Sequence, residues 1–315
     1  MFKYIVKRLF YAFLTLFVLV SLTFFMMRLL PGDPFIGDKA IPETTMKALN
    51  AKYGLDKPII TQLFMYIGNV FKGDLGISIH YKGRPVIAII AQAFPYSFDL
   101  GMRALIFATV MGVLLGIVAA VKRGTKWDTI SMLLAVIGVS VPSFIIGSLL
   151  QYFLGLQLKV LTGIRFFPIT GWDTFASTIL PSFALSFSSL ATISRLMRTS
   201  MLDVLGQDYI KTAKSKGLSQ QKIVWKHAVR NAIMPVITVL GPIAATVLTG
   251  AFVVENIFGI PGMGKFFVLS IKTQDYTMIA GTTLFYGAFL VIANLIVDLA
   301  YGFIDPRVKL EDVKE

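Results

Sequence analysis

Six long stretches of the chain carry no charged side chain, and shorter charged segments separate them. They occupy residues 9–27, 104–121, 129–158, 174–194, 232–254 and 276–297, which together make 133 of the 315 residues. About 20 apolar residues of α-helix cross the ~30 Å hydrocarbon core of a bilayer. The pattern therefore predicts an all-α, polytopic integral membrane protein with six transmembrane helices. The first stretch is too long for a signal-peptide core, so we expect an uncleaved helix.

The segment between the first two spans contains shorter helical patterns. Pro42 begins a polar stretch that predicts a helix ending near Gly54, with proline in its first turn and glycine beyond its end. Two uncharged runs of 14 residues follow, 58–71 and 85–98, on either side of the turn Gly73-Asp-Leu-Gly76. Runs of that length are too short to cross a membrane. We expect a small extracytoplasmic layer of amphipathic helices on the membrane surface.

The first of these runs has apolar residues at helical spacing, which predicts one apolar face. They are Ile59, Leu63, Phe64, Ile67 and Phe71.

Charge supports the membrane prediction and orients the chain. Only 15% of residues are charged, against ~25% in soluble domains. With both termini in the cytoplasm, that side holds 17 of the 30 lysines and arginines, and the two short outer loops hold four. The positive-inside rule then predicts an N-in, C-in topology. The net charge of +13 follows from topology and anionic lipid, so we expect no nucleic-acid partner.

No catalytic or metal site emerges from the sequence. The chain has no cysteine, and its two histidines, His80 and His227, fall on opposite sides of the membrane in this topology. Residues 259–265 match G-x-x-x-x-G-K, but Phe266 replaces the required hydroxyl and Pro261 interrupts the loop. We predict a tight exposed turn there. No nucleophile motif is present either, so the sequence predicts a chain that is not an enzyme.

The predicted spans also lack the groups that couple transport to an ion gradient. Ion-driven carriers usually place Asp, Glu, His or Lys at mid-membrane, whereas Arg103 and Asp298 only border spans here. Gln151 and Asn294 are the notable polar side chains within them. Four prolines predict interrupted or bent spans: Pro142, Pro181, Pro235 and Pro242. A transporter of this kind would draw its energy from a partner.

The largest cytoplasmic loop, residues 195–230, carries eight basic residues and two acidic ones. Its pattern predicts helix–glycine–helix. Gly217 suits a left-handed helix-terminating position, Ser219 suits an N-cap, and Leu218 with Ile223 suits a hydrophobic staple. Before Gly217, apolar residues recur near helical spacing at Leu202, Leu205, Tyr209 and Ile210, and Ala213 leaves a small-residue patch one turn on. The helix predicted to act as the lever spans 205–216. We read the loop as a rigid part that transmits motion, the alternative being a basic loop lying on anionic headgroups.

An ordered set of motifs runs along nearly the whole chain. They are Pro31-Gly-Asp-Pro34, Tyr53-Gly-Leu-Asp-Lys-Pro58, Gly73-Asp-Leu-Gly76, Asp208-Tyr-Ile-Lys-Thr-Ala-Lys-Ser-Lys-Gly217-Leu218, His227-Ala-Val-Arg230-Asn231-Ala-Ile-Met-Pro235, Glu255-Asn-Ile-Phe-Gly-Ile-Pro-Gly262-Met-Gly264, Gln274-Asp275-Tyr276 and Asp305-Pro306-Arg307. The set resembles binding-protein-dependent ABC importer permeases of the oligopeptide/dipeptide/nickel branch. Residues 31–58 are most similar to oligopeptide permeases. The chain departs from the broad pattern with Lys211-Thr-Ala213 where Glu-Ala-Ala is usual, which puts a carboxylate role there in doubt.

The resemblance implies a type I importer fold and a permease subunit of an ATP-driven oligopeptide importer in the bacterial cytoplasmic membrane. The implied partners are a homologous second permease forming a heterodimer, two ABC ATPase subunits, an extracytoplasmic peptide-binding protein, peptide and membrane lipid. The resemblance also implies that no cofactor or metal binds this chain and that ATP and Mg²⁺ bind the ATPases. The implied ATPase-coupling residues are Asp208, Tyr209, Thr212, Ala213, Lys216, Gly217, Leu218, His227, Arg230 and Asn231. The candidate binding-protein contacts or gate are Phe258, Gly259, Pro261, Gly262 and Gly264.

Alternatives remain open within and outside this class. A dipeptide or nickel permease belongs to the same branch, while an ion-coupled secondary transporter or a membrane scaffold without transport does not. The predicted organisation is an N-terminal transmembrane helix at 1–30 and an extracytoplasmic segment at 31–98. A five-helix permease core at 99–301 includes the coupling loop 195–231, and a cytoplasmic tail occupies 302–315.

Overall fold

The computed structural model describes residues 2–29, 44, 46, 47, 51, 54–81, 83–249 and 251–304. The motif 31–34, most of the helix predicted from Pro42 to Gly54, and the motif 305–307 with most of the predicted tail lie outside these residues.

The described residues form helices and no strand. In chain order, the α-helices are α1 Phe2–Leu29, α2 Ile59–Phe71, α3 Val86–Val121, α4 Lys126–Ser140, α5 Ser143–Leu150, α6 Leu158–Thr162, α7 Phe175–Leu205, α8 Asp208–Ser215, α9 Gln220–Lys222, α10 Val229–Ala232, α11 Met234–Thr249, α12 Phe252–Ile257, α13 Met263–Lys272 and α14 Tyr276–Ile304. Two π-helical segments interrupt them, π1 Gln151–Gln157 and π2 Ile223–Ala228. The all-α class is confirmed.

Five of the described helical segments are long and apolar enough to cross a membrane, and a sixth is a pair bent by 52°. The bent pair is Gln220–Ala232 with Met234–Leu248, and Pro235 lies in the first turn of its second helix. A proline there removes a backbone donor and its ring clashes with the preceding turn. Each of the six predicted apolar segments therefore contains helix, and the fifth is bent near its start.

The third span is a broken helix that runs alongside α7. It breaks between α4 and α5, where Pro142 has an extended backbone, and continues into π1. Asp128 pairs with Arg198, and Cβ atoms added to Gly138 and Gly147 would lie within 4 Å of Ala191 and Ala184. Residue numbers rise in one segment and fall in the other, so α4–α5 and α7 run antiparallel. Of this region, Ser143–Thr162 is long and apolar enough to cross a membrane.

Helix α7 is the centre of the larger of two compact units, residues 96–261 with 296–315. A Cβ added to Gly116 of α3 would lie 2.6 Å from the Met197 Cβ, and one added to Gly138 of α4 would lie 2.7 Å from the Ala191 Cβ. Helix backbones thus touch α7 on both sides, the close approach that small residues permit between membrane helices.

The other unit joins residues 1–95 to residues 262–295. Its core packs Leu75, Val86 and Ile89 with Met263 and Met278. The predicted turn after α2 is confirmed, with φ of +77° at Gly73 and +85° at Gly76.

A buried carboxylate ties the two parts of this unit together. Asp275 is fully buried at the start of α14 and accepts hydrogen bonds from the Ser78 hydroxyl and, at 3.0 Å each, from the His80 and Met278 backbone amides. The Thr277 hydroxyl donates to it at 2.9 Å.

The helix predicted within 58–71 is present as α2, in which Leu63 is 7% exposed while Phe64 and Phe71 are 65% and 72% exposed. Two other expectations about this predicted outer segment and the loop 259–265 need correction. The run 85–98 is not a separate surface helix, because α3 continues without a break from Val86 to Val121. The segment 259–265 is not simply an exposed turn, since Ile260 and Met263 are buried.

Candidate ATPase-coupling site

The first arm of the candidate site is α8, a short amphipathic helix. Ile210 is fully buried and Ala213 is 7% exposed, whereas Asp208, Thr212 and Lys216 lie on the surface. Tyr209, predicted on the apolar face, is 43% exposed. The continuous helix predicted over 205–216 is wrong in one respect, because α7 ends at Leu205 and α8 begins only at Asp208.

Gly217 ends this arm with the geometry that its sequence predicts. Its φ is +74°, its amide donates to the Lys214 carbonyl at 3.0 Å, and the Leu218 amide donates to the Ala213 carbonyl at 3.3 Å. This pair of bonds is the Schellman motif. The left-handed position is therefore confirmed, and it favours glycine because a Cβ there would strain the backbone.

The second arm starts at Ser219, which occupies the N-cap position without making a side-chain cap hydrogen bond. Ile223 is 1% exposed and Leu218 packs against the same core, so the predicted staple pair is on the buried side. The sequence did not predict that the helix of this arm continues as the π-helical segment π2. π-Helical segments often occur at functional sites, because the extra residue re-aims the side chains that follow.

The two arms contact each other directly. The Asn231 side-chain amide donates to the Tyr209 hydroxyl at 2.9 Å and to the His227 carbonyl at 3.2 Å. These three predicted coupling residues are thus brought together, and Arg230 lies exposed beside them. The hydrogen bond fixes the spacing of the arms on the exposed side, while the core fixes it on the buried side.

One continuous core lies beneath the arms. It contains Met197 and Met201 of α7, Ile210 of α8 and Val224 of π2, together with Ile117 of α3. Burying an apolar side chain of this size contributes about 1.5–3 kcal/mol. The arms therefore do not project freely from the protein: they are packed onto two of the membrane helices.

The exposed side of the arms is basic. Six cationic side chains lie exposed there: Lys211, Lys214, Lys216, Lys222, Lys226 and Arg230. Asp208 is exposed too and pairs with Lys211 at 2.8 Å, a surface ion pair worth little energetically. The surface would attract an acidic partner or anionic lipid.

Sequence reasoning missed an ion pair next to this site. The Arg198 Nε donates to Asp128 Oδ1 at 2.7 Å and its Nη2 donates to Oδ2 at 2.9 Å, while the Gly124 amide donates to Oδ2 at 3.0 Å. Asp128 lies in the first turn of α4, just before the third uncharged stretch. The hydrogen bonds from Arg198 and then from Gly124 lower the pKa of Asp128 to about 2. The only sign of this ion pair in the sequence was that Asp128 is an acidic residue among basic loop residues.

The predicted outer residues divide between the two units. In one unit, Phe258 is 1% exposed, Gly259 has a φ of +62° and Pro261 is exposed. In the other, Gly262 and Gly264 are both buried. Phe258 is therefore a core residue of this chain, and of the five only Gly259 and Pro261 present an exposed surface here.

Gln151 links distant segments of the larger unit, which the sequence did not reveal. Its side-chain amide nitrogen donates to the Ile169 carbonyl at 2.7 Å and to the Ile257 carbonyl at 2.9 Å. The Gly171 amide also donates to the Phe258 carbonyl at 2.9 Å. One polar side chain in a span thus holds together the segments that contain Ile169 and Ile257.

Within the described part of the chain, no group of three or more His, Asp or Glu side chains is placed to hold a metal ion. The candidate site has an exposed basic side and a rigid apolar underside.

Comparison with known proteins identifies the family. Residues 112–310 match the family "Binding-protein-dependent transport system inner membrane component", and residues 1–101 match the N-terminal family that accompanies it. The chain is 46% identical to the dipeptide transport system permease protein DppB of Lactococcus lactis subsp. cremoris, over 98% of this chain and 100% of that one. It is 42% identical to the oligopeptide transport system permease protein OppB of Haemophilus influenzae, with the same two coverages.

The fold has a counterpart among solved structures. A chain of the methionine ABC transporter MetNI in inward-facing conformations superposes with a TM-score of 0.51 at 16% identity, over 69% of this chain and 95% of that one. This agreement concerns the fold alone and confirms the predicted importer-permease architecture. Family membership implies ATPase and binding-protein partners and a place in the bacterial inner membrane. The chain belongs to the family of inner-membrane components of binding-protein-dependent transport systems.

Proposed function

We propose that this chain is a permease subunit of an ATP-driven importer of peptides. The observation that carries the proposal is its match, at 40–46% identity over 98% of the chain, to relatives named as dipeptide or oligopeptide permeases. The preference for oligopeptides rests on residues 31–58 alone, and the dipeptide relatives are the more similar by a few per cent. The substrate class is therefore peptide, with length selection assigned to the binding protein.

The coupling role belongs to the two arms. An ATPase subunit would bind the exposed side of α8 and Gly217, and the core shared with Met197 and Met201 would pass its movement to α7. ATP and Mg²⁺ act at the ATPases, so this chain contributes no catalytic group. It would pair with a related second permease to enclose the path, with both termini in the cytoplasm.

The scarcity of charge in the spans suits a peptide path. The six stretches contain no Asp, Glu, Lys or Arg. Peptides vary in side-chain charge, and a fixed charge in the path would trap some and repel others. A pair of mostly neutral permeases would pass them all, leaving discrimination to the protein that delivers them.

Reconstitution of the assembled complex in liposomes tests the proposal. Labelled di-, tri- and pentapeptides and Ni²⁺ are supplied with the binding protein, and uptake is measured with ATP inside the liposomes. We expect peptide uptake that requires ATP and survives a protonophore. Uptake by this chain alone that a protonophore abolishes would instead identify an ion-coupled carrier, and Ni²⁺ uptake without peptide uptake would identify a nickel permease.

A substitution tests the coupling site separately. Gly217→Arg places a long side chain at a left-handed position and in the ATPase-facing surface. We expect membrane insertion to be normal while ATPase association and uptake are lost. Lys159→Arg, on an exposed position outside the arms, is the control. Retained ATP-driven uptake by the Gly217 variant would show that this surface is not the coupling site.

A further inference from the structure

We propose that the Asp128–Arg198 ion pair positions α4 against α7, so that movement of α8 is passed to the third span as well as to α7. The inference rests on the coupling role proposed above and adds two positioning residues to it. Neither residue lies on the surface that the ATPase would contact. Both act through α7, the helix that leads into the coupling arms.

The geometry of the pair fixes distance and rotation together. Arg198 donates two nearly parallel hydrogen bonds, at 2.7 and 2.9 Å, to the two oxygens of one carboxylate. Because the guanidinium and carboxylate groups are both planar, a bidentate pair fixes their relative orientation as well as the distance between them. The side chains of Arg198 and Asp128 are only 23% and 10% exposed, so the pair is screened less by salt than a surface pair is.

The pair also holds the turn that joins α3 to α4. The Gly124 amide donates to Asp128 Oδ2 at 3.0 Å, and Gly124 has a φ of +77°. The Thr125 amide closes the same turn on the Lys122 carbonyl at 3.1 Å. Three elements, the end of α3, the start of α4 and α7, therefore meet at one carboxylate.

Arg198 is placed where movement of α8 reaches α7. It lies one residue after Met197 and three before Met201, and both methionines are fully buried in the core that contains Ile210 of α8. Arg198 lies seven residues before the end of α7 at Leu205, about 10 Å along the helix. Displacement of α8 thus acts on the segment of α7 that carries the arginine.

Apolar packing alone would transmit this displacement less well. Lipid tails are as apolar as the side chains at a helix contact, so sliding of one membrane helix along another exposes nothing to water. A bidentate ion pair opposes sliding and rotation. Replacing such pairs with apolar residues is often neutral for stability, which makes a positioning role the better account of its presence.

The test uses the complete complex with Asp128→Asn, Arg198→Gln and the double variant. Asp203→Asn is the matched control, because it makes the same chemical change at an exposed position on α7. Peptide uptake and ATP hydrolysis are measured on equal amounts of assembled complex. We expect uptake per ATP to fall at least fivefold in each single variant and no further in the double variant, with the control unchanged.

A second measurement needs no substrate and is therefore independent of the peptide assignment. Hydrogen exchange is followed in α8 and α4 before and after ATP binding to the ATPase subunits. In the unmodified complex we expect ATP to change exchange in both helices. In the Asp128→Asn complex the change should be confined to α8.

Four results would overturn the inference. The first is an unchanged uptake per ATP in the assembled Asp128→Asn complex. The second is that the effects of the two single variants multiply in the double variant, and the third is that α4 still responds to ATP without the pair. The fourth is a loss of uptake in proportion to complex assembly, because the pair would then serve stability alone. A complex that binds ATP and shows the α4 response but takes up no peptide would refute only the peptide assignment.

Discussion

The contact between Gly116 of α3 and the backbone of α7 gives a sharp test of the fold. A Cβ added to Gly116 would lie 2.6 Å from the Met197 Cβ, 2.7 Å from the Ser194 carbonyl oxygen and 3.0 Å from the Arg198 amide nitrogen. Normal contacts of these atoms exceed ~3.4 Å, so α3 and α7 would have to separate by nearly 1 Å. Two of the three atoms are backbone and cannot rotate away.

The expected cost of Gly116→Ala follows from two opposing effects. Overpacking of a closely packed contact destabilises by about 1–3 kcal/mol, and the stiff backbone places this site near the upper end. Replacing glycine by alanine within a helix stabilises the helix by about 0.8–1.0 kcal/mol. The net destabilisation should be about 2 kcal/mol, a change of roughly 30-fold in the unfolding equilibrium.

Gly68→Ala in α2 is the matched control, because a Cβ there would meet nothing within 4 Å. That change should stabilise by up to ~1 kcal/mol through helix propensity alone. Reversible unfolding of both variants in the same detergent measures the two effects. Equal stabilities of the two variants would refute the close approach of α3 and α7.

Other predictions concern the coupling arms, the Gln151 hydrogen bonds and acid stability. Gly217→Ala should destabilise by about 1–2 kcal/mol, because its φ of +74° is left-handed, and should weaken ATPase association in a pull-down assay. Gln151→Leu should cost about 2–4 kcal/mol, since it leaves two carbonyls without a donor; Gln157→Leu, at an exposed hydrogen bond, should cost less than ~1 kcal/mol in the same unfolding assay. Because the pKa of Asp128 is lowered to about 2 from 3.8, its ionised form stabilises the fold above pH ~4, and this contribution is lost as pH falls towards 2. Asp128→Asn should remove that part of the acid dependence between pH 5 and 2.5, and an identical pH profile in the variant would contradict the assignment.

Local patterns in the sequence predicted the features that depend on near neighbours. The six apolar segments follow from uncharged stretches long enough to span a bilayer. The Schellman geometry at Gly217 follows from a helix that must end at a glycine. The Gly73–Gly76 turn has the same kind of local cause, since its two glycines both adopt positive φ.

Features that depend on distant residues were not predicted. Asp128 and Arg198 are 70 residues apart, and neither has a charge pattern that points to the other. Gln151 bonds to a carbonyl 106 residues away, and backbone carbonyls leave no mark in a sequence. The run 85–98 was misassigned because nothing in its composition distinguishes a surface helix from the start of a longer one.

The carboxylate of Asp275 has a consequence for how the chain is made. The unit it ties together combines residues 1–95 with residues 262–295, so 166 residues are synthesised between its first part and its second. At ~5–20 residues per second, that interval is about 8–35 s. During this time Ser78 and the His80 amide lack their acceptor, and Val86 and Ile89 lack the methionines that cover them. Nascent chains stopped before Gly262 should therefore expose the outer segment to protease, and completion of α14 should protect it.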